Sequence, residues 1–361
     1  MSDYRPAARV HEARDALAAI ERCYAEGWTD GLPVVPPTSQ LVAAAVAASG
    51  RAPDEVVARI APREAEATVE KVAINAVMAG CLPEYLPVVI AAVEAVADPV
   101  FNLNGVQACT DVAGILLVVH GSIAKQLGVN AAGNVLGQGF RANATIGRAL
   151  RLVLMNLGGG IPQQTDMSTL GQPGKLSYCM AENEPESPWE PLHVERGFAA
   201  SESAVTVFAA EAPHAIGDFV SSTPEGLLDT IADSLTTLGS MTLYFGGELF
   251  LVLCPQHAAV FAEAGWSKAD VRRHFFEIAR KPATEITRFG LDRQVPAHYW
   301  PVGTDWSSNG SVALLRRPED LVILVAGGRA GRFSAGIPGW GYRDARSVTR
   351  RVSSRPEDNR A

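Results

Sequence analysis

Four short runs, GILLVVHG (114–121), AVTVFAA (204–210), ELFLVLCP (248–255) and DLVILVAGG (320–328), constrain this chain more than any other feature. Each is apolar almost without interruption, is shorter than a typical buried helix, and gives way to polar, glycine or proline residues, the pattern of a buried strand. Around them lie longer segments with helical spacing. These are 66–80, stopping at Gly80; 82–98, with Pro83 and Glu84 near its first turn; and 141–157, 225–239, 256–265 and 268–281. Strands alternating with helices predict an α/β fold.

The order strand, short helix, long helix occurs after 114–121 and again after 248–255, setting His120 against Cys254. Two similar α/β lobes are therefore expected, arising from an internal duplication or from the plain recurrence of strand–helix units. Residues 1–66 read as an N-terminal helical arm with a proline-rich strap, TDGLPVVPPT. Residues 67–200 read as a first lobe with site-forming loops, 201–352 as a second lobe, and 353–361 as a disordered tail.

A formal charge of −8 without any Lys/Arg cluster argues against nucleic acid or anionic membrane as partner, because both need a concentrated basic face. No apolar run approaches a bilayer span, and MSDYRPAARVHEARD lacks a signal pattern, so a cytoplasmic protein acting on a small molecule is expected. The five cysteines are odd in number and show no C-x-x-C, which fits reduced thiols.

Reactive side chains concentrate in 171–198, which has neither helical nor strand period and holds Cys179, Glu182, Asn183, Glu184, His193, Glu195 and Arg196. It reads as an ordered site-forming loop, or else as a long surface excursion. Glu182 and His193 are candidates for proton transfer, since carboxylates crowding an imidazole perturb pKa values. Lys175, Glu195 and Arg196 are candidate substrate contacts, and His193 and Glu195 would share a face if the segment is extended. Cys179, Glu182, His193 and Glu195 could furnish a mixed metal set, but their spacings match no recognised ligand motif, so no metal ligand and no cofactor is assigned.

Cys81 stands at a helix junction just before Pro83, where unpaired N–H groups would favour a thiolate, with Glu84 a turn away; it reads as a nucleophile or as a packing cysteine. Asn102, Asn104 and Gln107 precede the first apolar run. Asn134, Arg141 and Asn143 lead into the helix at 141–157, whose first N–H groups attract anions. The Gly137, Gly139, Ala142 spacing is too loose to support nucleotide binding. Cys254 and His257 read as core before catalysis, and His11, His274 and His298 as surface or packing residues.

With DGLPVVPPT, TVEKVAINAVMAGCLPEYLPVV, RANATIGRALRL, GQPGKLSYCMAENE, SPWEPLHVERGF and AGGRAGRFSAGIPGW, the chain resembles a bacterial family of uncharacterised proteins over 28–340. That family is associated with small cysteine- or selenocysteine-containing UGSC-type proteins. The resemblance implies a two-component, thiol- or selenol-dependent enzyme in which this chain binds the substrate. UGSC itself is absent here, so a redox-active partner would be a separate chain.

The expectation is thus thiol-assisted bond cleavage of lyase, hydrolase or reductive type, acting on a small polar anion. Cys81 or Cys179 would be the thiolate, Glu182, His193 and Glu84 would move protons, and loops 102–111, 129–145 and 171–196 would converge near Cys81. A non-catalytic substrate-binding subunit and a metal-dependent hydrolase or lyase are the alternatives. A small thiol or selenol protein and a second copy of the chain are the macromolecular partners left open.

Overall fold

The computed structural model describes residues 5–301 and 304–353, so the expected tail lies, past Ser353, outside the described residues. An antiparallel ribbon, β1 (Val56–Ile60) with β2 (Ala65–Thr68), comes first. It is followed by β3 (Gly114–His120), β4 (Cys179–Ala181), β5 (Ala204–Ala210), β6 (His214–Gly217) and β7 (Leu249–Leu253). A second ribbon pairs β8 (Arg280–Pro282) with β9 (Ser311–Ala313), and β10 (Leu321–Val325), β11 (Phe333–Pro338) and β12 (Val348–Arg351) close the series.

Eight of these strands form two four-stranded mixed sheets, ordered β12-β5-β3-β4 and β10-β7-β11-β6. Each sheet holds one parallel pair, β3 with β4 and β7 with β10, and parallel neighbours need a long crossover. The helix Arg141–Asn156 lies in the first crossover, and Pro255–Glu263 and Lys268–Ile278 lie in the second. The remaining neighbours are antiparallel. The edge strands are exchanged: β6 follows β5 in the chain but pairs with β11, while β12 follows β11 but pairs with β5. Two strands of the first sheet therefore lie beyond residue 200.

Strand parity sorts the core. From β3, Ile115, Leu117 and Val119 join the apolar cluster of helices Ser39–Ser49, Val69–Ala79, Leu86–Val96 and Arg141–Asn156. Leu116 and Val118 point the other way, into a cluster shared with Phe250, Val252, Val322 and Leu324 of the second sheet, where Phe208 and Phe250 stack with centroids 3.9 Å apart. Leu249, Leu251 and Leu253 then pack on helices Pro224–Leu235, Pro255–Glu263 and Lys268–Ile278. The layers run helix, sheet, sheet, helix. Both faces of each sheet are covered, which is why the strand sequences are apolar without alternation.

The four runs and the long helices stand where their spacing placed them. β4, by contrast, lies inside 171–198, the stretch read as a loop. β4 has only three residues, and its strand character comes from pairing with Leu117, Val118 and Val119 rather than from its own pattern.

Candidate functional site

His120 closes β3 on the side that faces the second sheet, with the parity of Leu116 and Val118. The parallel register Leu117↔Cys179 and Val119↔Ala181 brings the residue after β4, Glu182, alongside it. His120 Nδ1 lies 3.0 Å from Glu182 Oε2, and His120 Nε2 lies 2.9 Å from Thr206 Oγ1. Because Glu182 Oε2 also accepts from the Leu192 N–H at 2.9 Å, that oxygen is an acceptor and His120 Nδ1 is the donor. Thr206 Oγ1 is 2.8 Å from Thr349 Oγ1, its cross-strand partner on β12, and Arg196 donates to Thr349 at 3.0 Å and to Ser347 at 2.6 Å. A polar chain thus runs from Glu182 through His120 and two threonines to Arg196, itself 3.5 Å from Glu248.

A short helical turn, Leu192–Glu195, sets His193 over this chain, its ring stacked on His120 with centroids 5.5 Å apart. Glu184 Oε1 accepts from the Gly121 N–H at 2.7 Å. Gly121 has φ 77°, and a Cβ there would lie 2.4 Å from the Glu202 carbonyl oxygen, so only glycine lets the chain turn directly after His120.

Two buried histidines show what is unusual here. His257 is fully buried and satisfied, with Nε2 donating to the Asp218 carbonyl at 3.0 Å and Nδ1 meeting Ser334 Oγ at 2.7 Å. His193 is equally buried, yet neither ring nitrogen has a hydrogen-bond partner among the described residues, and Glu182 Oε1 has none either. An unsatisfied buried polar atom costs about 1–3 kcal/mol, so three at one point are large against a total stability of about 5–15 kcal/mol. Burial holds the His193 pKa below its ordinary value, and the neighbouring His120 adds to the effect. His120, Glu184 and His193 can each offer a ligand atom within 4.8 Å of the others, so these are the residues able to hold a cation.

The expected thiol site is not built this way. Cys179 and Glu182 are three residues apart on an extended path and project to opposite faces of the sheet, Cys179 into the helix-side core. Cys81 packs against the same core and donates to the Thr145 carbonyl at 3.3 Å. Burial pushes the Cys81 thiol up to about 12 and raises that of Cys179 as well, so the depressed pKa expected at the helix junction is corrected. Glu84 is exposed in the turn Pro83–Tyr85.

Most expected substrate contacts are committed elsewhere. Arg141 donates from both Nε and Nη2 to the Gly80 carbonyl. Asn143 is buried, exchanges hydrogen bonds with the Asn130 backbone and donates to the Cys179 carbonyl at 3.2 Å; it staples the 129–145 loop to β4. Asn134 donates to the Gln138 carbonyl, and Lys175 pairs with Asp166 at 2.7 Å. Glu195 pairs with Lys268 and Arg272; two helical steps turn it about 200° from His193, so the extended-face expectation does not hold.

Loops 129–145 and 171–196 do meet, and Gly327 joins them, its N–H donating to Ala131 and its carbonyl accepting from Asn183. The 102–111 loop meets only the start of the 171–196 segment, near Lys175, and lies away from His120 because the length of β3, about 20 Å at 3.3 Å per residue, separates them. There Asn102 caps a short helix, Asn104 is exposed and Gln107 donates to the Ala61 carbonyl.

His120, Glu184, Thr206 and Thr349 carry no site assignment in the sequence. The available signal was a lone histidine ending an otherwise apolar strand. Neither a family model nor a curated protein matches this chain. Among the described residues no helix is long and apolar enough to cross a membrane.

Proposed function

We propose that this chain is an enzyme that cleaves a bond in a small polar, anionic molecule, by lyase or hydrolase chemistry at the His120, Glu182, Glu184 and His193 centre. The observation that carries the reading is the set of three buried polar atoms without a protein partner, His193 Nδ1 and Nε2 and Glu182 Oε1, gathered at the end of β3. Buried atoms of this kind are met in evolved cores by an ordered water, an ion or a ligand, or serve catalysis, and here three of them gather at one point. Glu182 Oε2 is fixed by Leu192 and His120, which leaves Oε1 oriented to take or give a proton. The glycine- and amide-rich loops at 129–139 and 327–331, pinned together by the bond from the Gly327 N–H to the Ala131 carbonyl, are where an anion would be met. A cytoplasmic setting belongs to the same proposal.

The test is turnover of a panel of small carboxylates, phosphate esters and amides by the purified chain. Glu182→Gln is expected to lower kcat about 10²–10⁴-fold, whereas Cys81→Ser and Cys179→Ala leave it within a few-fold. Full activity in Glu182→Gln, or its loss in either thiol variant, would overturn the reading.

One observation favours a second reading. With Cys81 half-buried, Cys179 buried and both thiols pushed toward the protonated form, a thiol-dependent reaction would need its thiol from another chain, as the UGSC resemblance implies. Turnover that appears only when a small dithiol protein is added would select that reading.

A further inference from the structure

We propose that His120, His193 and Glu184 bind one divalent first-row transition-metal ion of the zinc or ferrous class. The inference rests on the location of the proposed active centre, and it adds what that centre holds.

The donor set is two imidazoles and one carboxylate, which suits zinc, iron and cobalt and leaves coordination positions open for water or substrate. The geometry is close to what such an ion needs. Ligands about 2.0–2.2 Å from a shared ion stand about 3–4 Å apart, and the three donor atoms already lie within 4.8 Å of one another. His193 is the independent pointer, since a fully buried ring with both nitrogens unpartnered has a lone pair committed to nothing the chain provides.

Glu184 is equally prepared. Its Oε1 accepts from the Gly121 N–H and stands 3.9 Å from His193 Nδ1, and its side chain is 30% exposed, so the centre is approached past this residue. His120 makes two hydrogen bonds, and coordination exchanges one of them for the ion. If the Thr206 contact is exchanged, Glu182 remains as the carboxylate that orients a ligating histidine, a common arrangement behind metal ligands. Glu182 stands outside the set of residues that could share the ion, so its part there is to position His120.

The experiment uses the full chain purified without a histidine tag, stripped with a chelator and titrated with Co²⁺ alone, followed by its visible d–d absorption and by metal analysis. One equivalent should bind with an intense band typical of four or five ligands, and Zn²⁺ should displace it and raise Tm. His193→Gln and Glu184→Gln should each weaken binding about 10–100-fold or more, while His257→Gln, outside the centre, keeps it. Two variants guard against one failing to fold. No stoichiometric cobalt in the wild type, or unchanged binding in both variants, overturns the metal site. Because binding is read directly, the two proposals fail separately: tight cobalt binding together with full turnover by Glu182→Gln leaves the metal standing and removes the catalytic reading.

Discussion

A thiol attacks only as thiolate, and desolvation of the half-buried Cys81 against the helix-side core raises its pKa to about 12. At pH 7 that leaves a vanishing thiolate fraction, and Cys179 is pushed the same way. Limiting iodoacetamide labelling with peptide mass spectrometry should therefore find both residues slower than the same cysteines in the unfolded chain at every pH from 6 to 9. Fast labelling of either one below about pH 8.5, the range of a free thiol, would contradict this. Glu211, just past β5, makes the opposite kind of prediction. Burial, with the charge of Asp111 adding to it, pushes its carboxyl up to about 7. The folded chain thus keeps a proton that the unfolded chain releases near pH 4.3, and the associated stability is lost as pH rises through about 7. Glu211→Gln should melt above the wild type at pH 8, by a margin that shrinks toward pH 5; a constant margin would show that the carboxyl ionises normally.

At the scale of elements, the legible parts are those whose own residues set their structure. Thr68 accepts from the Lys71 N–H at the start of helix Val69–Ala79, and Gly80 ends it at φ 94°, both readable as cap and stop. The apolar runs of β3, β5, β7 and β10 needed no partner to be recognised. β4, β11 and β12 are strands because of what they pair with, and nothing within CMA or VTRR distinguishes them from loop. The site divides along the same line. Glu182 and His193 were visible as reactive groups in an ordered segment, whereas His120 and Thr206 looked like parts of apolar strands. Cys179 was grouped with Glu182 because they are neighbours in sequence, and the three-residue strand that opens at Cys179 sends them to opposite faces.

Across the whole molecule, the two sheets are tied by their exchanged edges. The polar chain depends on one of those edges. Thr349, 143 residues after Thr206, connects it to Arg196. Thr349→Val keeps the strand's shape and removes the hydroxyl, leaving Arg196 and Thr206 each short of a partner. A loss of about 1–3 kcal/mol is expected in urea unfolding of the full chain, and an unchanged midpoint would mean that solvent replaces the hydroxyl at no cost.

The exchange of β12 also fixes when the centre is finished. A ribosome delivers residues in order, so a chain released through β11 has both parallel pairs, the histidines and the carboxylates, yet β5 still lacks its outer neighbour and Thr206 has His120 but not Thr349. The oldest sheet is completed by the youngest strand. The hydrogen-bonded chain at His120 is thereby completed only after β12 has been made, and a product cut short before Val348 would lack both the Thr349 link and the outer neighbour of β5.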